Sequence, residues 1–356
     1  MKFFPALLRQ MNGLSRAGTS TPSLTVAEAV PVLSLLLLLT GWELAPGVLE
    51  RGVYLPLLIS TVLFGIPHGA LDHRLPVRLG WSWGRYPNLV RWYLLGYGLC
   101  AALTFSLWWF SPQLIFWGFL LLSLLHWGQG DLYHLEVFQG RRRAHRWSAP
   151  VTLLTRGSFP ILLPLLAFPE WFARLASGID QIVGRPARSG PLLPHGVFLA
   201  LVALLLGLLV AYLWDLRLSS RRPQREMAET AVLLLVFALV PAPLSIGIYF
   251  SLWHAWRHLQ RLLCLPTGSK AVGGRRVVRL AADLTPITLV ALGLLVTLSR
   301  WAAPRLSSVE TFAALYLALI AALTLPHAVV VACMGKAPAT TPEVSSAGSG
   351  ACRRLP

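Results

Sequence analysis

The sequence predicts an all-α fold, a polytopic transmembrane helical bundle of about ten spans with both termini cytoplasmic. Three observations carry that expectation. Of 356 residues, 55% are hydrophobic and only 13% charged, about half the charge of an ordinary soluble domain. Apolar runs such as Ala29 to Leu39, Leu199 to Val210 and Ala231 to Val240 recur from end to end. The cations, finally, collect on alternate connecting segments, as the retention of Lys and Arg on the cytoplasmic face requires.

Proline, glycine and charge clusters divide the apolar runs into spans over residues 28–47, 53–70, 92–110, 114–136, 150–168, 192–214, 229–242, 244–264, 281–299 and 311–334. The seventh falls short of the roughly 20 residues of a full crossing and is parted from the eighth only by Pro241 and Pro243. It reads as a broken or re-entrant helix, so eight to ten crossings fit the pattern. With the N-terminus inside, only Arg51, Arg174, Arg185, Arg188, Arg300 and Arg305 of the 31 Lys and Arg face outward. Arg156 and Arg257 lie within spans, and all the others face inward. Merging spans seven and eight would turn the basic loop after Cys264 outward, so the arginines keep them apart.

The net charge of +17, which in a soluble chain would suggest nucleic acid, therefore reports topology, and no nucleic-acid partner is expected. Residues 1–27 form an N-terminal tail with no small-residue cleavage pattern, 28–336 the membrane domain, and 337–356, rich in Ala, Pro, Thr and Ser, a disordered tail. Cys100, Cys264, Cys333 and Cys352 lack CxxC spacing and suggest packing thiols, without a zinc site or a disulfide framework.

Ionisable groups inside spans are costly and usually functional, which makes the nine histidines informative. His134, His145 and His195 fall at or beyond span ends and read as interfacial. His68, His126, His254, His258 and His327 fall inside spans that all run in the same direction. Counted at the helical rise from each span's start, they lie roughly 22, 18, 15, 21 and 24 Å deep, a band compatible with one site.

His254 and His258 stand at i and i+4, which puts two imidazoles on one helix face, able to share a metal. Neutral nitrogen ligands with an open position suit a redox iron better than magnesium or calcium. Asp72, Asp131 and Gln129 are candidates to orient a ring through its other nitrogen, although the two aspartates equally suit helix caps or pairs with nearby arginines. Helix-packing histidines, haem ligation and a proton relay are the competing readings of the same residues. A desaturase would want adjacent histidine pairs, and the chain has none. Gly65, Gly69, Gly128 and Gly130 remove bulk where a helix or a ligand approaches, and Pro67 and Pro326 directly precede His68 and His327. Trp127, Trp253 and Trp256 lie beside the histidines, and an aromatic-lined slot suits a long conjugated hydrocarbon.

The motifs GIPHGALDH at 65–73, HWGQGD at 126–131, LWHAWRH at 252–258 and LPHA at 325–328, in this order, resemble the Brp/Blh family of membrane-bound beta-carotene 15,15'-dioxygenases. The resemblance runs from about Val53 to Met334. It implies a non-haem Fe(2+) oxygenase of the cell membrane that cleaves the central double bond of beta-carotene with O2 to give two molecules of retinal, functionally linked to a microbial rhodopsin. By motif, the iron ligands are His68, His126, His254 and His258. Asp72, His73, Trp127, Asp131, Trp253 and His327 would stand behind them or line the substrate channel. No other catalytic residue is implied. The alternative is a non-enzymatic membrane protein, a metal or proton transporter or a rhodopsin-assembly paralogue, which should carry polar groups along a whole path across the bilayer.

Overall fold

The computed structural model describes residues 26–79, 81–186, 190–263 and 274–334. The two tails lie outside the described residues, as do Cys264, Cys352 and the centre of the basic loop that follows Cys264. Among the described residues all regular structure is helical.

Helix α1 is Val26–Leu44, and α2 is the interrupted tract Leu55–Arg78. Next come α3 (Pro87–Phe110), α4 (Pro112–Val137), α5 (Ser148–Ser158), α6 (Leu162–Ala167), α7 (Pro169–Ile182) and α8 (His195–Ser219). The chain continues through α9 (Pro223–Leu239), α10 (Ala242–Tyr249), α11 (Trp256–Leu263), α12 (Gly274–Ala302) and α13 (Val309–Met334). Proline sets much of this punctuation. Helices α3, α4, α7 and α9 all start on one, where its fixed φ is helical and its missing N–H would have no partner anyway.

Five tracts are long and apolar enough to cross a membrane: Leu55–Arg78, Pro87–Phe110, His195–Ser219, Val277–Arg305 and Val309–Met334. Their outward faces carry large apolar side chains such as Leu99, Phe110, Val210 and Val290, each more than 60% exposed, which water would penalise and lipid does not.

The structure departs from the sequence expectation in three places. The span expected at 150–168 is two helices, α5 and α6, with Pro160 in the turn between them, where a helix would lose a hydrogen bond and clash with a carbonyl. The segment 169–182, expected in a connecting loop, is helix α7, packed along α13. The short seventh span is lengthened at its polar end, so that α9 starts at Pro223 and stops before Pro241.

Two tracts widen to π-helix, Thr61–Gly65 inside α2 and Phe250–Ala255 between α10 and α11, and these two stretches pack on each other. In α2 the cause is Pro67, which cannot donate to the turn before it. Such single widened turns gather at functional sites, and both lie beside the motif histidines.

Close backbone crossings fix the remaining geometry. A Cβ on Gly128 would stand 2.0 Å from the Leu153 carbonyl oxygen, and one on Gly157 2.0 Å from that of Leu124, so α4 and α5 touch backbone to backbone. Gly247 brings α10 against Leu57 of α2 in the same way. Around these crossings lies one main apolar core, with Trp108, Phe116, Phe159, Phe237, Tyr249 and Trp253 inside it. Gly128→Ala is expected to destabilise the protein by about 1–3 kcal/mol through overpacking. Thermal unfolding in detergent measures this, and an unchanged midpoint would refute the crossing.

Candidate metal centre

Four separate tracts deliver the five span histidines to one place. His68 comes from α2, His126 from α4, His254 and His258 from the π-helical stretch and α11, and His327 from α13. All five are buried. The His68 ring centroid lies 5.6 Å from that of His254, 5.5 Å from His258 and 4.9 Å from His327. The His126 ring lies 4.9 Å from His254 and 5.0 Å from His327. Nitrogens of His68, His126 and His327 all lie within 4.8 Å of one another, so the structure groups His327 directly with two of the expected ligands. Small residues leave room for the rings, since Cβ atoms on Gly69 and Gly130 would meet His327 and His254 at 3.4 Å.

Hydrogen bonds orient two of the rings. His327 Nδ1 lies 2.8 Å from Asp72 Oδ2. A carboxylate only accepts, so Nδ1 carries the proton and Nε2 keeps its lone pair. Tyr97 donates to the same oxygen at 3.0 Å and Tyr93 to the Asp72 backbone carbonyl at 2.9 Å. His68 Nδ1 donates to the Phe64 carbonyl at 3.2 Å, which turns its other nitrogen toward the cluster. Both nitrogens of His126, and Nε2 of His254, His258 and His327, are buried without a hydrogen-bond partner. Buried polar atoms are seldom left so, and a cluster of unpartnered imidazole nitrogens is a donor set for a metal ion.

Asp131 takes a different part. Its Oδ1 accepts from Trp253 Nε1 at 2.8 Å and from Arg257 at 2.9 Å, and its Oδ2 from Arg156 Nε at 2.8 Å. Arg156 and Arg257 also reach Glu229 at 3.4 and 3.0 Å, and Glu229 receives Gln139 at 2.7 Å. The Arg257 guanidinium sits 3.9 Å above the Trp253 ring. This ionic knot joins α4, α5, α9 and α11, and Arg257 stands in sequence between His254 and His258. Of the two aspartates, Asp72 orients a ring while Asp131 pairs with arginines.

The other expected residues spread out. Trp127 stacks on Phe250 at 5.8 Å and meets His254 at 5.7 Å. His73 bonds the Ala70 carbonyl at 2.7 Å and lines the edge of the cavity described next. His134, expected at the interface, is buried and stacked on Phe138. His145 reaches Asp215 at 3.2 Å, and His195 is exposed at the start of α8. Sequence reasoning missed Glu229 altogether and gave Arg156 and Arg257 no partner. The only signal of the two arginines was their presence inside apolar spans.

A cavity of about 530 Å³ adjoins the histidines, lined by aromatic and aliphatic side chains including Trp108, Phe116, Trp171, Phe172 and Phe250. That volume is in the range of small-molecule sites.

The model of one protein family, described as beta-carotene 15,15'-dioxygenase, matches residues 59–335. The chain belongs to that family. The matched stretch of the dioxygenase takes in every histidine of the cluster. A relative from Halobacterium salinarum, "Probable beta-carotene 15,15'-dioxygenase Blh", is 33% identical over 93% of this chain and 97% of its own. "Probable beta-carotene 15,15'-dioxygenase Brp" from the same organism is 28% identical over 70% of this chain and 72% of its own. No solved structure matches.

Two substitutions separate the roles of the aspartates in this dioxygenase. Asp72→Asn is expected to lower affinity for a divalent metal about 10- to 100-fold, read by titration with Co(2+) in visible absorption, with little change in thermal stability. For Asp131→Ala, which leaves the buried Arg156 and Arg257 to share the single carboxylate of Glu229, a loss of about 3–5 kcal/mol is expected in unfolding measurements.

Proposed function

We propose that the chain is a non-haem Fe(2+) oxygenase of the cell membrane that cleaves the central double bond of beta-carotene with O2 to two molecules of retinal. The observation that carries this reading is the meeting of five buried imidazoles, four of them with a ring nitrogen that has no partner, with an apolar cavity, in a member of this family. The proposed ligands are His68, His126, His254 and His258, with His327 facing the same space. A ferrous ion bound there supplies the redox chemistry that lets O2 react with an alkene.

The protein's own contribution is binding and positioning. Trp127 and Phe250, stacked beside His254, offer flat faces to a polyene. Apolar walls exclude water, so the reacting carbons meet O2 rather than solvent. The central C=C bond breaks and each of its carbons takes one oxygen atom of O2 as an aldehyde. The alkene carbons are oxidised as O2 is reduced, so no further reductant and no acid or base is needed.

The topology proposed with this chemistry has ten crossings and cytoplasmic termini, supported by the placement of the arginines. A microbial rhodopsin, which takes retinal as chromophore, is the proposed functional partner. The transporter alternative asks for polar groups through the whole bundle. The buried polar chain from Asp131 runs through Arg156, Thr230, Tyr212 and Glu226 to Arg141 and Asp215, and the cavity on the other side of the histidines is apolar.

Expression in cells that accumulate beta-carotene, with iron supplied, tests the reading. Bleaching with retinal as product is expected, lost in His126→Ala and His254→Ala variants that still reach the membrane. Persistent colour and no apocarotenoid from the wild-type chain would sink it.

A further inference from the structure

The cavity is unequal in its two directions. Along the N-terminal halves of α4 and α13 buried side chains close most of its lining and make this the sealed arm: Trp108 is 1% exposed, Phe116 2%, Phe172 3% and Tyr316 1%, with Trp171 and Leu175 half-buried beside them. Phe116 lies ten residues before His126 on α4, roughly 15 Å of helix. Toward α3 and α12 the lining reaches the bilayer-facing surface instead, where Leu94 is 42%, Ile287 41% and Val290 68% exposed. Helix α3 meets α12 at Trp109 and Trp301, whose rings lie 5.6 Å apart, and away from that contact the cavity is lined by Leu94 and Gly98 of α3 and by Ile287 and Val290 of α12. A Cβ on Gly98 would meet nothing within 4 Å.

We infer that the sealed arm is a ruler. Resting on the carotenoid-cleaving reading, the inference is that one end of a linear polyene enters this arm and stops at Phe116, Phe172 and Leu175, while the other end lies between α3 and α12 in lipid. The distance from the histidines to the blind end then selects which double bond is presented, and the open arm imposes no length limit. Whichever bond is chosen, it breaks in the same balanced way, with both aldehyde oxygens drawn from O2.

Variants of opposite sign test this. Leu175→Trp shortens the arm and Phe116→Ala lengthens it, while Gly98→Trp narrows the open side. Purified protein in lipid nanodiscs is titrated, without metal or oxygen, with apocarotenals of graded chain length, and binding is followed by the shift of the visible band. The iron-loaded enzyme is then given beta-carotene and O2 and its aldehydes are separated. Leu175→Trp is expected to shorten the chain accepted by the sealed arm by about one isoprene unit and to give two unequal aldehydes, and Phe116→Ala to lengthen it. Gly98→Trp should slow turnover at an unchanged bond. An unmoved length series in both arm variants, with cleavage still central, overturns the ruler and leaves the oxygenase standing. A length series that moves with the variants while the wild-type chain cleaves nothing overturns the oxygenase, and with it the choice of a bond, and leaves only a polyene site of limited length.

Discussion

Asp131 accepts three hydrogen bonds from Trp253, Arg257 and Arg156, and the histidine cluster depends on that carboxylate. A charge placed inside a membrane bundle is tolerated only when paired, so two arginines and two acids, Asp131 and Glu229, must meet for any of them to be buried. Meeting fixes α4, α5, α9 and α11 against one another. Because Arg257 lies between His254 and His258, the same contact sets the height and rotation of both rings. His126 follows, five residues from Asp131 on the same helix and two from the Gly128 crossing.

A second carboxylate does the corresponding work on the opposite wall. Asp72 ties α2 to α13 through His327 and to α3 through Tyr97. Metal-ligating imidazoles commonly receive such support, which fixes the tautomer and raises the basicity of the free nitrogen. The pairing also explains the compactness of the GIPHGALDH motif. Pro67 widens the turn before His68, Gly69 leaves room for the His327 ring, and Asp72, one helical turn beyond His68, steers His327. Each residue serves either the near ring or the far one.

Much of this was legible in the sequence because membrane helices convert residue number into depth. Counting from span starts put His68, His126, His254, His258 and His327 in one narrow band, and the structure brings those five rings together. Depth says nothing about azimuth, however, so the sequence could not divide the aspartates between ring and arginine. Nor could it place His327, whose LPHA motif is weak alone, directly beside His68 and His126. Glu229 was invisible for a related reason. It sits near the polar start of α9, where an acid looks interfacial until Arg156 and Arg257 are seen to converge on it. Helix α7 was missed because Arg174, Asp180 and Gln181 lower the hydropathy of the segment as a whole, although its apolar face packs on α13.

The site's two sides differ in kind, and the difference suits the chemistry proposed for it. Behind the rings lie the ionic knot and a chain of buried polar groups; in front lies a cavity walled by tryptophan, phenylalanine and aliphatic side chains. Cleavage of an alkene by O2 transfers no proton to or from the protein, so charge next to the substrate would only add a desolvation cost and invite water. Charge behind the rings costs the substrate nothing and holds the imidazoles rigidly. A transporter of protons or metal ions would need the reverse arrangement, with polar groups continuing through the space where this bundle places Trp108, Phe116 and Phe172. The apolar half of the site therefore discriminates between the two readings more sharply than the histidines, which both would share.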